Sequence, residues 1–568
     1  MRSGFSSPGR QRAQAMVVVL LFLSAMMLAL LVLFNTGQAA RDKMEVQNAA
    51  DAVAYSAAVL EARHLNFTAY TNRAMIANEV AIAQSIGLAT WLQKWGGTFL
   101  NLGTILKYLL SPIPVIGTAL GSAIEAAFTA VGNAVNNISS GVAVFADALS
   151  TLVSGLNTFY GYTQLGFRIG TYETILFYSD DIVEMNAPGA RLANSAELMQ
   201  FYNLYKFNQY NVSYKPTDAL SKSASNDEEE RNREGMRRMA GAVNDSRDLW
   251  SRDRYNDELA SDDEYSTSIP FLGKFGFRYK IGMYHAGGSS LRFITGTGTN
   301  KDKEYYNWSS MDTNEFDLGL GIWLFGVYAG FDLPIPLGWG TMQMPYTSKQ
   351  NKEYKLVDLP KGGNKLGSAG YQADYGNTWD ENEVTSFLAS FGKSIYPYRP
   401  PETTQVKSYG DLAPYHDIDT SSEAPPYVVW VIQPSSNTRT SDNIGNASPT
   451  GRFDVENGSA GGTIDTQGIQ AIAGGEIYYK RTDGEEEEPN AFSPYWQARL
   501  TQVDNQELLM AMLVHEPELA WAFTGVEQAA DSITSQLSDF ASDVQDEMTD
   551  VDGIVEDAVD SMLDSYLP

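Results

Sequence analysis

The stretch AMVVVLLFLSAMMLALLVLFNTGQAARDKMEVQNAADAVAYSAAVLEARHLNFTAYTNRAMIANEVAIAQ, Ala15–Gln84, decides how this chain is built. Its nineteen residues 16–34 carry no charge. At 1.5 Å per residue they make a helix of roughly 28 Å, close to the hydrocarbon thickness of a bilayer. A transmembrane helix is therefore expected over 15–34. No strong breaker beyond Gly37 follows, and fourteen alanines lie between 35 and 84. Alanine loses no side-chain entropy in a helix and lets another helix approach closely, so residues 35–95 are expected to form a helical stalk that packs against partner helices.

Before the span stand Arg2, Arg10 and Arg12 with no acidic residue among the first fourteen. Positive charge favours the cytoplasmic side, which places residues 1–14 in the cytoplasm and the bulk of the chain outside it, although Arg41 and Lys43 beyond the span narrow the asymmetry. A cleaved secretory signal is the competing reading, since Gly37-Gln38-Ala39 offers small residues, but the apolar run is longer than the 7–15 residues typical of a signal core. Gly4 and Gly9 precede polar and basic residues, so no prepilin-type processing site is read. The 568 residues contain no cysteine, so disulfides do not hold the exported part together. The net charge of −29 excludes a general affinity for nucleic acid phosphates.

Residues 96–224 read as further helix packing on the stalk. A second span within 96–170 is opposed by Pro112, Pro114, Asn133, Asn136 and Asn137, since polar groups are costly in lipid. Residues 225–266 are dense in mixed charge and read as a solvated helix and linker. From 267 to 505, aromatic and β-branched runs such as 275–284, 321–331, 427–432 and 477–479 alternate with Gly and Pro, the pattern of strands. After Arg499 there are sixteen Asp or Glu and no Lys or Arg. Ile533, Leu537, Phe540, Val544, Met548, Val551, Val555, Ala558 and Met562 recur at spacings of 3 and 4, predicting an acidic amphipathic helix over 506–568. The expected fold is α+β: a transmembrane helix running into a helical stalk domain, then a β-rich extracytoplasmic domain and a C-terminal helix.

Motifs for chemistry are missing. The four histidines His64, His285, His416 and His515 have no paired metal spacing, and His64 reads as a residue hydrogen-bonding between helices. There is no Gly-x-Ser-x-Gly elbow and no phosphate loop. Asp550-Val-Asp552-Gly553 lacks ligands at the first and last positions of a calcium loop, occupied by Met548 and Val559. Trp323, Tyr328, Trp339, Tyr427 and Trp430 suit either core packing or stacking on sugar, with packing the better reading. No catalytic, metal or cofactor residue is assigned, and the chain is read as a non-enzyme.

The segment Lys43-Met-Glu-Val-Gln47-Asn48-Ala49-Ala50-Asp51-Ala52 behind an apolar helix resembles the N-terminal segment of TadE/TadG-like Flp pilus-assembly proteins. Leu65-Asn66, Ala69-Tyr70, Asn72-Arg73-Ala74-Met75, Leu337-Gly338-Trp339-Gly340, Tyr415-His-Asp417 and Asn490-Ala-Phe492-Ser-Pro494-Tyr495-Trp496-Gln497-Ala498 are similar to the larger proteobacterial branch of that group. The resemblance implies a single-pass inner-membrane component of a Flp-type pilus, minor-pilin-like or an assembly factor, whose partners are pilin or pilus-assembly subunits or further copies of itself. It places assembly contacts on Gln47, Asn48, Ala49, Ala50, Asp51, Asn72 and Arg73. The metal-adhesion spacing of some relatives is absent at Asp417-Ile-Asp419-Thr-Ser421. An envelope-anchored carbohydrate-binding adhesin and a membrane-anchored hydrolase are the alternative readings.

Overall fold

A computed structural model describes residues 8–113, 116–193, 196–217, 220, 225–252, 254, 261–295, 304–342, 409–434, 437 and 468–503. The elements in chain order are α1 (Pro8–Leu110), α2 (Gly117–Asn186), β1 (Arg191–Leu192), α3 (Ala196–Tyr210), β2 (Asn211–Tyr214), α4 (Asn226–Asp245), α5 (Leu249–Arg252), β3 (Ser261–Ile269), β4 (Gly273–Thr295), β5 (Glu304–Leu324), β6 (Val327–Met342), β7 (Tyr415–Ile418), β8 (Tyr427–Pro434), β9 (Gly468–Tyr479) and β10 (Trp496–Thr501). This is the expected α+β architecture. The sequence 506–568, with its predicted amphipathic helix, lies outside the described residues.

The span and the stalk are one helix, and it ends at Leu110, beyond the stalk boundary read from composition. Pro112 follows after Ser111, and the turn is closed by Ser111 N donating to Lys107 O and Ile113 N to Leu110 O. Proline cannot donate in a further helical turn, which stops α1 there.

The chain divides into two compact units. The first comprises residues 1–70, 163–212 and 416–568. Its antiparallel sheet has the order β1-β8-β9-β10. On α1, Val46, Ala49, Ala50, Val53, Ala54, Ala57 and Ala58 recur at spacings of 3 and 4 and are buried with Tyr427, Val429, Val431, Ala471, Ala473 and Ile477 of β8 and β9. The opposite side chains of the sheet, Val428, Trp430 and Ile472, pack with Met199 and Tyr202 of α3. Cover on both faces explains why β8 is an almost unbroken apolar run. At one point helix and strand nearly touch: a Cβ on Gly475 would stand 2.2 Å from Ala54 O. Asn66 extends the sheet edge, donating from Nδ2 to Trp496 O at 2.9 Å and accepting from Trp496 N at 3.0 Å.

The second unit comprises residues 71–162 and 213–415. Here α1 and α2 run antiparallel, with Gly96 against Asn136, Gly103 against Phe128 and Gly132 against Leu100. Lys107 Nζ donates to Glu125 at 2.7 Å and Ser139 Oγ to Ala89 O at 2.9 Å. The sheet is a meander in the order β3-β4-β5-β6. Gly338 and Gly340 of β6 lie directly on α1: a Cβ on them would meet Lys94 O at 2.4 Å and Thr90 O at 2.1 Å. The Leu-Gly-Trp-Gly motif is thus a docking strip whose glycines let a strand lie on a helix backbone. The charged stretch after residue 225 is a helix with one packed side, since α4 buries Asn232, Gly235, Met236, Met239, Ala240 and Val243. The strands of 267–505, read as one β-rich domain, enter separate sheets of the two units. Strand composition reports burial, not which sheet a strand joins.

Candidate functional site: the membrane-proximal helix

From Met16 to Phe34 every side chain of α1 is exposed. Among the described residues two helices, α1 near the N-terminus and α2, are long and apolar enough to cross a membrane by length and composition. None of the apolar window of α1 is buried, whereas 22% of that of α2 is. The N-terminal helix fits a membrane anchor: an uncharged apolar cylinder exposed on every side is the kind of surface that lipid covers.

Past the span the helix becomes two-sided. Asp42, Val46, Ala49 and Ala50 are buried, while Arg41, Met44, Asn48 and Tyr55 face outward. Lys43 Nζ donates to Gln470 O of β9. Gln47 Nε2 donates to Asp51 Oδ1 at 2.9 Å, one turn on, and to Ile472 O at 3.3 Å. Of the seven residues assigned to assembly, Asn48 and Arg73 are exposed, Gln47 and Asp51 are half-buried, and Ala49, Ala50 and Asn72 are fully buried. Ala49 and Ala50 therefore serve packing within the chain and are closed to a neighbouring subunit. Small residues admit any close neighbour, and here the neighbour is the chain's own sheet.

Ionisable groups further along α1 are buried. Glu61 is closed off from water and its carboxyl is raised well above the usual range by burial. His64, expected to bond between helices, instead has Nε2 within hydrogen-bond distance of Asn211 Nδ2, at the start of β2, and its ring stacks on Phe167 of α2 at 6.0 Å. Burial first, then the nearby Arg168 charge, pushes His64 down to about 3, so it is neutral at physiological pH. His416 lies 6.5 Å from it, ring to ring, and its backbone N donates to Gln164 Oε1 at 2.9 Å.

In the second unit Glu79 accepts from Trp308 Nε1 at 2.8 Å, Tyr409 OH at 2.9 Å and Asn157 Nδ2 at 3.0 Å. Burial outweighs these bonds and pushes it up to about 7. Arg254 holds Asp312 through Nε and Nη2 at 2.8 and 2.9 Å, both side chains closed to solvent. Thr90 of α1 donates to the same carboxylate, and Ser310 lies 2.8 Å from the Thr90 hydroxyl. Lys94, 5.0 Å from the Trp95 ring and 5.6 Å from Trp91, is lowered to about 8 by burial. None of these residues has a sequence spacing that announces it, because their partners come from distant parts of the chain. Among the described residues no group of three or more His, Asp or Glu is placed to hold a metal.

The stretch that fits an anchor continues without a break into the helix on which the folded part is built. Residues 13–60 match the family model described as "Putative Flp pilus-assembly TadE/G-like". That match covers the span and the helix face docked on β9, and it supports involvement in Flp pilus assembly and association with the membrane and pilus components. No curated protein and no solved structure matches the chain. The other motifs singled out in the sequence also gather along α1: Asn66 on Trp496, His416 by His64, and the Gly338 and Gly340 strip on Thr90 and Lys94.

Proposed function

We propose that the protein is a non-enzymatic, single-pass component of Flp pilus assembly, minor-pilin-like or an assembly factor, with a cytoplasmic N-terminus and its folded part outside the cytoplasm. It acts by helix packing and by presenting the exported part. The observation that carries this reading is the wholly exposed apolar helix within the segment that matches the pilus-assembly family.

The helix face available to partners differs from the alanines of α1. On α2, Val131, Ile138, Phe145, Leu152 and Phe159 are exposed at strict seven-residue spacing. Between them Ala134, Gly141, Ala148 and Gly155 are exposed at the same spacing. A seam of bulky and small residues in heptad register accepts the knobs of another helix. Polar ties of the opposite side of α2 to α1, through Ser139, Asn157 and Glu125, favour a packed helix over a second span.

The test replaces Phe145 with a photo-crosslinking amino acid in the native host, followed by mass spectrometry of adducts and alkaline extraction of membranes. Adducts to pilus-assembly proteins or to a second copy, with the full chain retained in the membrane, are expected. Release of the chain by alkali, or partners unconnected with pili, refutes the reading.

A further inference from the structure

One end of the β3–β6 sheet stands clear of the rest of its unit and is amphipathic. The cross-strand register places Tyr265, Phe277 and Ile322 in one row, with Ile281 and Leu320 on the same face. All of these are exposed. The other face carries Lys274, Arg278 and Lys280, together with Trp323 and Tyr328, whose rings lie 5.0 Å apart. Lys274 Nζ sits 4.1 Å from the Trp323 ring and donates to Glu264 of β3.

Both hairpin turns lie at this end and are themselves apolar. The first holds Phe271 and Leu272 between Ile269 and Gly273, and the second holds Phe325 and Gly326 between Leu324 and Val327. Phe271 and Phe325 have φ of +69° and +54°. The left-handed region is disfavoured for a bulky side chain, and Gly or Asn is the ordinary choice in such turns. A phenylalanine there strains the turn, and outliers of this kind point to a use for the side chain. The two turns form one cap: the Phe275 and Phe325 rings meet at 4.9 Å, and Gly273 lies against the Phe325 backbone. Yet Phe271 is 109% exposed, Val327 68% and Phe325 64%.

We propose that this cap inserts into the headgroup–acyl boundary of a lipid bilayer. From the tip inward the order is Phe and Leu, then Trp323 and Tyr328, then a charged zone in which Arg278 and Lys280 stand opposite Glu264 and Asp262 across the strands. That matches the order of a bilayer surface: hydrocarbon, the interface preferred by Trp and Tyr, and the charged headgroup layer. A second copy seated on the apolar face would leave Phe271, Leu272 and Phe325 at the edge, in water. A bilayer covers the face and both turns together.

The absence of cysteine from the chain permits a direct test. Full-length Leu272→Cys carries an environment-sensitive fluorophore, and Ser266→Cys, on the polar face, is the control. Each protein is held by its anchor in nanodiscs and mixed with vesicles of phosphatidylcholine and phosphatidylglycerol. Acyl-chain nitroxide quencher is placed in the nanodisc lipid or in the vesicle lipid in turn. Quenching and a blue shift at position 272 from one of the two lipid pools, with none at 266, are expected. Adding Phe271→Asp and Phe325→Asp lowers the quenched fraction at least about tenfold, since two aromatic side chains lose their apolar transfer. A label at 272 that stays unquenched in both pools overturns the proposal. So does a blue shift that needs no added vesicles, ignores the quencher and grows with protein concentration, the behaviour of a second copy on the face.

Discussion

Replacing Gly475 with alanine tests whether the segment behind the membrane span is anchored by its own sheet. The added Cβ would stand 2.2 Å from Ala54 O and 2.7 Å from its carbonyl carbon. An ordinary carbon–oxygen contact is about 3.3 Å or more, so β9 and α1 must separate by about 1 Å. Both obstructing atoms are backbone in the middle of a helix, and no rotamer relieves the clash. Overpacking of this kind costs about 1–3 kcal/mol, equivalent to about 2–12 °C in the melting temperature of a unit of this size. Gly170→Ala, on α2 in the same unit with nothing within 4 Å of the new methyl, is the control. It should be stabilising by about 0.5–1 kcal/mol, because glycine inside a helix is the poorer residue. Thermal unfolding of the full chain in detergent micelles, with hydrogen exchange of β9 amides, reads both effects. If G475A melts with the wild type and β9 exchange is unchanged, the docking of the alanine face on β9 is refuted.

Two further changes probe the buried charges of the second unit. Glu79 is raised from 4.5 to about 7, so its stabilising, protonated form is fully present below about pH 4.5, and that contribution is lost as pH rises through about 7. A gap of that size corresponds to about 3 kcal/mol. Relative to wild type, Glu79→Gln should therefore gain stability as pH increases over this window, measured by urea unfolding followed through tryptophan fluorescence; a constant difference at all pH values contradicts the assignment. Asp312→Ala leaves the Arg254 guanidinium buried without its carboxylate and should cost about 3–5 kcal/mol in the same assay. Asp312→Leu combined with Arg254→Leu should recover most of that loss, and an equal loss in both proteins would show that packing, not the unpaired charge, was responsible.

The local part of the architecture was legible from residue order. Nineteen uncharged residues can satisfy their backbone in lipid only as a helix, and alanine richness extends the helix whatever lies beside it. The aromatic runs were legible as strands, but their fate was not. Tyr427 and Trp430 pack within the first unit, while Trp323 and Tyr328 lie at the solvent end of another sheet, and nothing in their neighbours distinguishes the two cases. Glu79 could not be singled out among the carboxylates, because Asn157, Trp308 and Tyr409 reach it from far along the chain.

Sequence alone thus determined the apolar helix that fits an anchor, its long continuation and the α+β class, since these depend on length, periodicity and propensity within a few turns of chain. Only the tertiary structure decided that Ala49 and Ala50 face β9, that α2 exposes a heptad seam, and that phenylalanines cap a free sheet end. A small residue or an aromatic ring specifies a surface able to make contact; which surface fills it depends on chain segments hundreds of residues away.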